Sequence, residues 1–124
     1  MDKSVWIVIA AYNEGHSVPH VVKDLQKAGY HNIVVVDDGS KDNTYEAASK
    51  TGVTVLQHVI NRGQGAALKT GIDYALAQGA DIIVTFDADG QHNPKEIKQL
   101  IAPVQNGSVE VALGSRFLGK KSNV

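Results

Sequence analysis

Short apolar runs alternate with segments of helical period along the whole chain. Val5 to Ala10 reads as a first strand. Val18, Val21, Val22 and Leu25 follow at i, i+3, i+4 and i+7, one apolar face of a helix that ends near Gly29. Ile33-Val34-Val35-Val36 is apolar at every position, as in a strand covered on both faces, and stops at Asp37-Asp38-Gly39-Ser40. A short helix from about Asp42 to Lys50 leads into a third strand, Val53 to Gln57. The loop Asn61-Arg62-Gly63-Gln64-Gly65 opens a helix carrying Leu68, Ile72, Ala75 and Leu76. Asp81 to Phe86 is a fourth strand. Pro94 suits the first turn of a helix bearing Ile97, Leu100, Ile101 and Val104, and Val109 to Leu113 is a fifth strand. Strands and helices that alternate in this order predict an α/β fold, a Rossmann-like three-layer architecture around a mostly parallel sheet.

Composition narrows the picture. With 124 residues, 43% of them hydrophobic, the chain reads as a single domain spanning 1–124. A chain of that size buries about two-thirds of the surface its unfolded form exposes. It has no cysteine, which excludes a disulfide framework, a thiolate nucleophile and thiolate metal ligation. A net charge of −1 with intermixed signs offers no basic footprint for nucleic acid and no polybasic run for an anionic membrane. The first apolar run is too short for a signal-peptide core or a membrane span, so a cytoplasmic chain with a small-molecule partner is expected. Asn106-Gly107-Ser108 fits a glycosylation acceptor but reads better as a turn. The end at Gly119 to Val124, soon after the fifth strand, is expected to fall in mid-architecture.

The chemistry gathers at strand ends. In extended backbone, residues two apart face the same way, so Asp87 and Asp89 project together beyond the fourth strand. Two ionised carboxylates roughly 5 Å apart at an effective dielectric near 20 repel by about 3 kcal/mol, which a proton or a cation must relieve. Oxygen ligands, with Gln91 offering a third, suit a hard ion such as Mg²⁺ or Mn²⁺, which keeps waters and bridges to substrate phosphates. Tyr12-Asn13-Glu14, Asp37 to Ser40, the Arg62 loop, Asp87-Ala88-Asp89 and Gly114-Ser115-Arg116 each follow a strand. Ligands of parallel α/β sheets bind beyond the carboxyl ends of the strands, so one pocket can collect all five.

Taken singly, these segments have plainer readings. Asp38-Gly39-Ser40 fits a turn and helix cap as well as an acceptor for a base or ribose. Glu14 fits a charge at a helix N-terminus, and Arg116 a surface charge. Gly63-Gln64-Gly65 is half of a dinucleotide fingerprint and fails as one, because Leu68 holds the third glycine position. Its glycines still permit close approach of a ligand, and Arg62 or Lys69 would offset phosphate charge. His92 reads as a loop residue, and His16, His20, His31 and His58 as solvated or locally satisfied.

With these residues in place, the chain resembles family 2 glycosyltransferases of the GT-A fold, in the branch that includes dolichyl-phosphate mannose synthases and related polyprenyl-phosphate glycosyltransferases. The resemblance runs from Val5 to Phe117. It rests on Ala11-Tyr12-Asn13-Glu14, Val36 to Thr44, Asn61 to Leu68, Phe86 to Pro94 and Gly114 to Phe117. It implies a metal-dependent, inverting transfer of sugar from a UDP- or GDP-sugar to an acceptor, with a polyprenyl (dolichyl) phosphate the expected one. The implied nucleotide-binding set is Ala10, Tyr12, Glu14, Asp38, Gly65, Lys69, Asp87 and Ala88. The implied metal ligands are Asp87, Asp89 and Gln91, holding Mg²⁺ or Mn²⁺, and the catalytic residues are Asp89 and Arg116.

Two departures stand out. Ala10 occupies a position where the family commonly has proline, and the chain is shorter than the family's catalytic domain. The donor-binding half alone is therefore expected, either an enzyme or a catalytically silent nucleotide-sugar binding or interaction module. Contact with the cytoplasmic membrane face through the acceptor is expected, and so is a homo-oligomer, because a truncated sheet leaves an edge or an apolar face uncovered. A sugar nucleotidyltransferase would want a basic glycine-rich loop after the first strand, and an aspartyl phosphotransferase would place its acidic pair there. Neither fits.

Overall fold

The structure is a computed structural model, and it describes residues 4–89 and the backbone of 110–113. Strands β1 (Val5–Ala11), β2 (Ile33–Asp38), β3 (Thr54–His58), β4 (Ile82–Asp87) and β5 (Glu110–Leu113) form one sheet in the order β3-β2-β1-β4-β5. Every neighbouring pair is parallel. Helices α1 (Val18–Lys27), α2 (Thr44–Ser49) and α3 (Gln64–Ala77) join the strands.

The alternation of side chains along a strand sorts the core into two layers. Ile7, Ile9, Ile33, Val35, Ile82, Val84 and Phe86 pack with Val18, Val21, Val22 and Leu25 of α1 and Ala48 of α2 on one face. Val8, Val34, Val36 and Ile83 meet Ala67 and Ala75 of α3 on the other. Burying each of the larger side chains contributes roughly 1.5–3 kcal/mol, and the predicted apolar face of α1 is the one buried. α1 ends where expected. Gly29 and Tyr30 donate to the carbonyls of Gln26 and Leu25, each at 3.0 Å, closing the last turn.

α3 lies close on the sheet because Gly71 faces β1 and β2. A Cβ there would stand 2.4 Å from Val8 Cγ1 and 3.2 Å from Val36 Cγ2, both inside the core. Gly71→Ala is expected to lower stability by about 1–3 kcal/mol through overpacking, read from the urea midpoint.

Four strands run past their expected ends. β1 includes Ala11, β2 includes Asp37 and Asp38, β3 includes His58, and β4 includes Asp87. Pairing across the sheet accounts for this, since Ala11 stands beside Asp37, Asp38 beside His58 and Ala10 beside Asp87. α2 is shorter than its expected span: Asp42 stays outside and accepts the Thr44 N–H at 2.9 Å. The helix expected around Ile97 to Val104 lies outside the described residues.

Candidate functional site

The chain steps from β1 outward to β2 and β3, then returns to place β4 on the other side of β1. Such a reversal opens a crevice at the carboxyl ends of the two strands that part there. A cavity of about 480 Å³ occupies that place, lined by Ala10 and Ala11 of β1, Tyr12 and Glu14 of the following loop, and Asp38 of β2. Asn61, Gln64 and Ala67 line it from the side of α3, and Asp87, Ala88 and Asp89 from β4.

The loops of this rim are tied to one another. Asn13 donates its N–H to Ser40 Oγ at 2.7 Å and accepts the Lys41 N–H at 2.8 Å. Glu14 N–H donates to Thr44 Oγ1 at 2.9 Å, and Gly15 N–H to Asp42 Oδ2 at 3.2 Å. Asp42 also receives the Thr44 hydroxyl. These bonds hold the β1–α1 loop against the β2–α2 loop, so Tyr12 and Glu14 face the cavity from a fixed base.

Asp38 is the best-held carboxylate. It receives the Arg62 N–H at 2.9 Å, the Gly63 N–H at 2.8 Å and His58 Nδ1 at 2.8 Å. Burial raises its pKa, but the Arg62 N–H, the His58 hydrogen bond and the Gly63 N–H outweigh burial and hold the carboxyl below its ordinary value. Asp38 thus fastens the loop that enters α3 and is not a helix cap, while its neighbour in the chain turns elsewhere: Asp37 accepts the Ser40 N–H at 3.1 Å and Gln57 Nε2 at 3.0 Å.

Asp42 is likewise lowered, chiefly by the Thr44 hydroxyl, against burial, and by the N–H groups of Thr44 and Gly15. A carboxylate whose folded pKa lies below its unfolded one adds stability above the ordinary value of 3.8, lost as pH falls through the folded value. Asp42→Asn is expected to flatten the acid-side fall of the melting midpoint below about pH 4, checked by thermal melts across a pH series.

Glu14 moves the other way. Burial raises its pKa, followed by the negative charges of Asp89 and Asp42. A wall carrying Glu14, Asp87 and Asp89 repels a diphosphate unless a cation sits between them. These residues fit a hard divalent ion, although no cage of three or more His, Cys, Asp or Glu side chains exists among the described residues. An ion held by one or two carboxylates, with waters and substrate phosphates completing its shell, is the usual Mg²⁺ arrangement.

Of the sequence-derived site residues, the fold brings Ala10, Tyr12, Glu14, Asp38, Asp87, Ala88 and Asp89 to one cavity. Gly65 and Lys69 do not line it; Lys69 Nζ instead donates to Asp73 Oδ2 at 2.8 Å on the exposed face of α3. Gln91 and Arg116 lie outside the described residues. Ala11, Asn61, Gln64 and Ala67 also line the cavity; all four are uncharged, so no charge pattern in the sequence singles them out. The first turn of α3 supplies polar and small side chains instead. A helix N-terminus presents backbone N–H groups that favour an anion.

Solved structures share this architecture. The glucosyl-3-phosphoglycerate synthase of Mycobacterium tuberculosis, solved with Mn²⁺ and UDP-glucose, matches with a TM-score of 0.68 at 24% identity, over 85% of this chain and 40% of its own. At that identity the likeness shows the fold, which is that of GT-A glycosyltransferases. The chain belongs to glycosyl transferase family 2, whose sequence profile matches residues 6–124.

Curated relatives agree. An uncharacterized protein of Methanocaldococcus jannaschii is 49% identical over 94% of this chain and 48% of its own length. The UDP-N-acetylglucosamine–dolichyl-phosphate N-acetylglucosaminyltransferase of Methanococcus voltae is 44% identical over 97% and 55%. The dolichol-phosphate mannosyltransferase of Pyrococcus furiosus is 36% identical over 96% and 35%. The chain thus spans about half, or less, of the length of these relatives.

Proposed function

We propose that this chain binds a UDP- or GDP-sugar in the β1–β4 crevice with a divalent ion and contributes to transfer of the sugar to a polyprenyl phosphate. The observation that carries the reading is the convergence of Tyr12, Glu14, Asp38, Asp87 and Asp89 on one cavity at the topological switch. Family membership and the printed activities of the relatives support it.

In this reading Asp38, ionised and able only to accept, takes an N–H of the base or a ribose hydroxyl, and Tyr12, 41% exposed, flanks the base. Asp87 and Asp89 would hold the ion, with Gln91 the third ligand that the family resemblance implies, and Mg²⁺ or Mn²⁺ there would supply Lewis-acid stabilisation of the diphosphate. The acceptor phosphate oxygen bonds to the anomeric carbon as the bond to the diphosphate breaks. The electron pair leaves with the diphosphate, and the anomeric centre inverts. A phosphate acceptor is already anionic, so the chain need supply no general base. Arg116 is assigned to phosphate charge.

A surface feature beside the cavity favours a lipid acceptor. Val59 and Ile60, 96% and 69% exposed, directly precede Asn61 at the cavity edge. Among the described residues no helix is long and apolar enough to cross a membrane. Replacing both residues by aspartate is expected to weaken binding to vesicles containing polyprenyl phosphate by about tenfold, as a sedimentation assay would read, with nucleotide binding unchanged.

The test is transfer of labelled sugar from UDP- and GDP-sugars to polyprenyl phosphate, with Mn²⁺, Mg²⁺ or chelator. Metal-dependent product supports an enzyme. Nucleotide binding without product on any lipid phosphate supports the silent binding module, which the chain's partial span of its relatives keeps in view.

A further inference from the structure

β2 and β3 end side by side, and their last residues form two cross-strand pairs, Asp37 beside Gln57 and Asp38 beside His58. Neighbouring residues of a strand face opposite ways, so the pairs serve opposite faces of the sheet. His58 Nδ1 lies 2.8 Å from Asp38 Oδ1. An ionised carboxylate has no proton to give, so Nδ1 carries the hydrogen and donates it.

The other ring nitrogen lies 2.9 Å from Thr70 Oγ1, which is itself 3.0 Å from the Ala66 carbonyl oxygen. One hydroxyl has one proton. It serves Ala66 when the imidazole carries two hydrogens and Nε2 when the ring is neutral. The Nδ1–H bond to Asp38 stands in both states. His58 is thus anchored from α3, with its side chain only 9% exposed.

A carboxylate offers about four lone-pair positions. On Asp38, Oδ1 accepts both His58 and the Arg62 N–H, while Oδ2 accepts the Gly63 N–H. Among the described residues one position is left, on Oδ2, and Asp38 lines the cavity.

We propose that His58 is a positioning residue for donor selection: with the Arg62 N–H it saturates Oδ1, fixes the Asp38 rotamer, and leaves one acceptor on Oδ2 for a ring N–H of the base. The inference rests on the donor-site reading above. Uracil and guanine carry such an N–H on the pairing edge. Cytosine and adenine present a ring nitrogen lone pair there, which a fixed carboxylate repels. Asn in place of His58 would put an amide N–H near the position of Nδ1, whereas Ala would leave Oδ1 partly open and the carboxylate free to turn.

The test is calorimetric affinity for UDP, CDP, GDP and ADP with Mn²⁺, using the wild-type chain, His58→Ala and His58→Asn, with urea melts to confirm folding. It is joined to ¹⁵N NMR of the His58 ring in the ligand-free chain. The wild type is expected to show a protonated Nδ1 and to prefer UDP over CDP or GDP over ADP. His58→Ala should cut that preference about tenfold, the weight of one hydrogen bond to a charged group, and His58→Asn should restore most of it. A folded His58→Ala chain that keeps the wild-type ratio overturns the proposal and leaves the donor-site reading standing, as does an unprotonated Nδ1. If His58→Ala does not fold, His58→Asn decides: a lost preference with Nδ1 protonated in the wild type counts against donation from that position. Absence of any nucleotide binding by the wild type overturns both readings.

Discussion

Asp89→Asn is expected to remove the cation-dependent part of nucleotide binding, weakening affinity in Mn²⁺ by roughly a hundredfold, about 2.7 kcal/mol. The substitution keeps size and shape but deletes one of the charges that attract a divalent ion. Asp89 is exposed at the end of β4, so the fold should survive with a melting midpoint close to wild type. A second sign follows from Glu14, whose pKa is raised by burial and then by the Asp89 charge. With that charge removed, the Glu14 carboxyl should titrate lower, as NMR of the side chain would read. Calorimetry with and without chelator measures the main effect, and unchanged metal-dependent binding in Asp89→Asn would sink the proposed ion site.

Gly39→Ala is expected to be the most damaging small substitution at the rim. Gly39 sits at φ 72°, and a Cβ there would come 2.4 Å from the Asn61 nitrogen and 2.5 Å from the Ile60 carbonyl carbon. Both are backbone atoms, which no rotamer change can move. The left-handed conformation costs alanine about 1–2 kcal/mol, and parting the two loops adds to it, for a loss of about 3 kcal/mol. In a chain of this size that lowers the melting midpoint by roughly 10 °C. Nucleotide affinity should fall as well, because the Arg62 and Gly63 N–H groups that hold Asp38 lie just past the clash. A melting midpoint within 1 °C of wild type would show that the loops are not pressed together as the structure has them.

Much of this was legible in the sequence because hydrophobic period and strand ends carry it. The run Ile33 to Val36 announced a strand buried on both faces, and Val18 to Leu25 a helix with one apolar side, as the core shows. A pocket beyond the carboxyl ends of the strands followed from strand-ending motifs, and Tyr12, Glu14, Asp38, Asp87 and Asp89 meet in one. The miss at Lys69 has a local cause: Asp73 lies one turn on, and the two pair on the exposed face of α3. Gln64 escaped because nothing in one sequence says which side of a helix's first turn faces a cavity, and Asn61 because nothing says how the loop before it folds back. His58 escaped for a topological reason. Its partner is twenty positions away in the chain and becomes a neighbour only through the β2–β3 register.

The crevice between β1 and β4 is expected to take a nucleoside diphosphate together with a cation. A thermal-shift titration of the chain with UDP and GDP, each in Mn²⁺, Mg²⁺ or chelator, asks this directly. Ligand at about a hundred times its dissociation constant adds roughly 2.7 kcal/mol to folded-state stability, a shift of several degrees. The expected result is a rise with one of the two nucleotides, present with a divalent ion and absent in chelator. A cooperative melt that neither nucleotide moves under any of these conditions would contradict it.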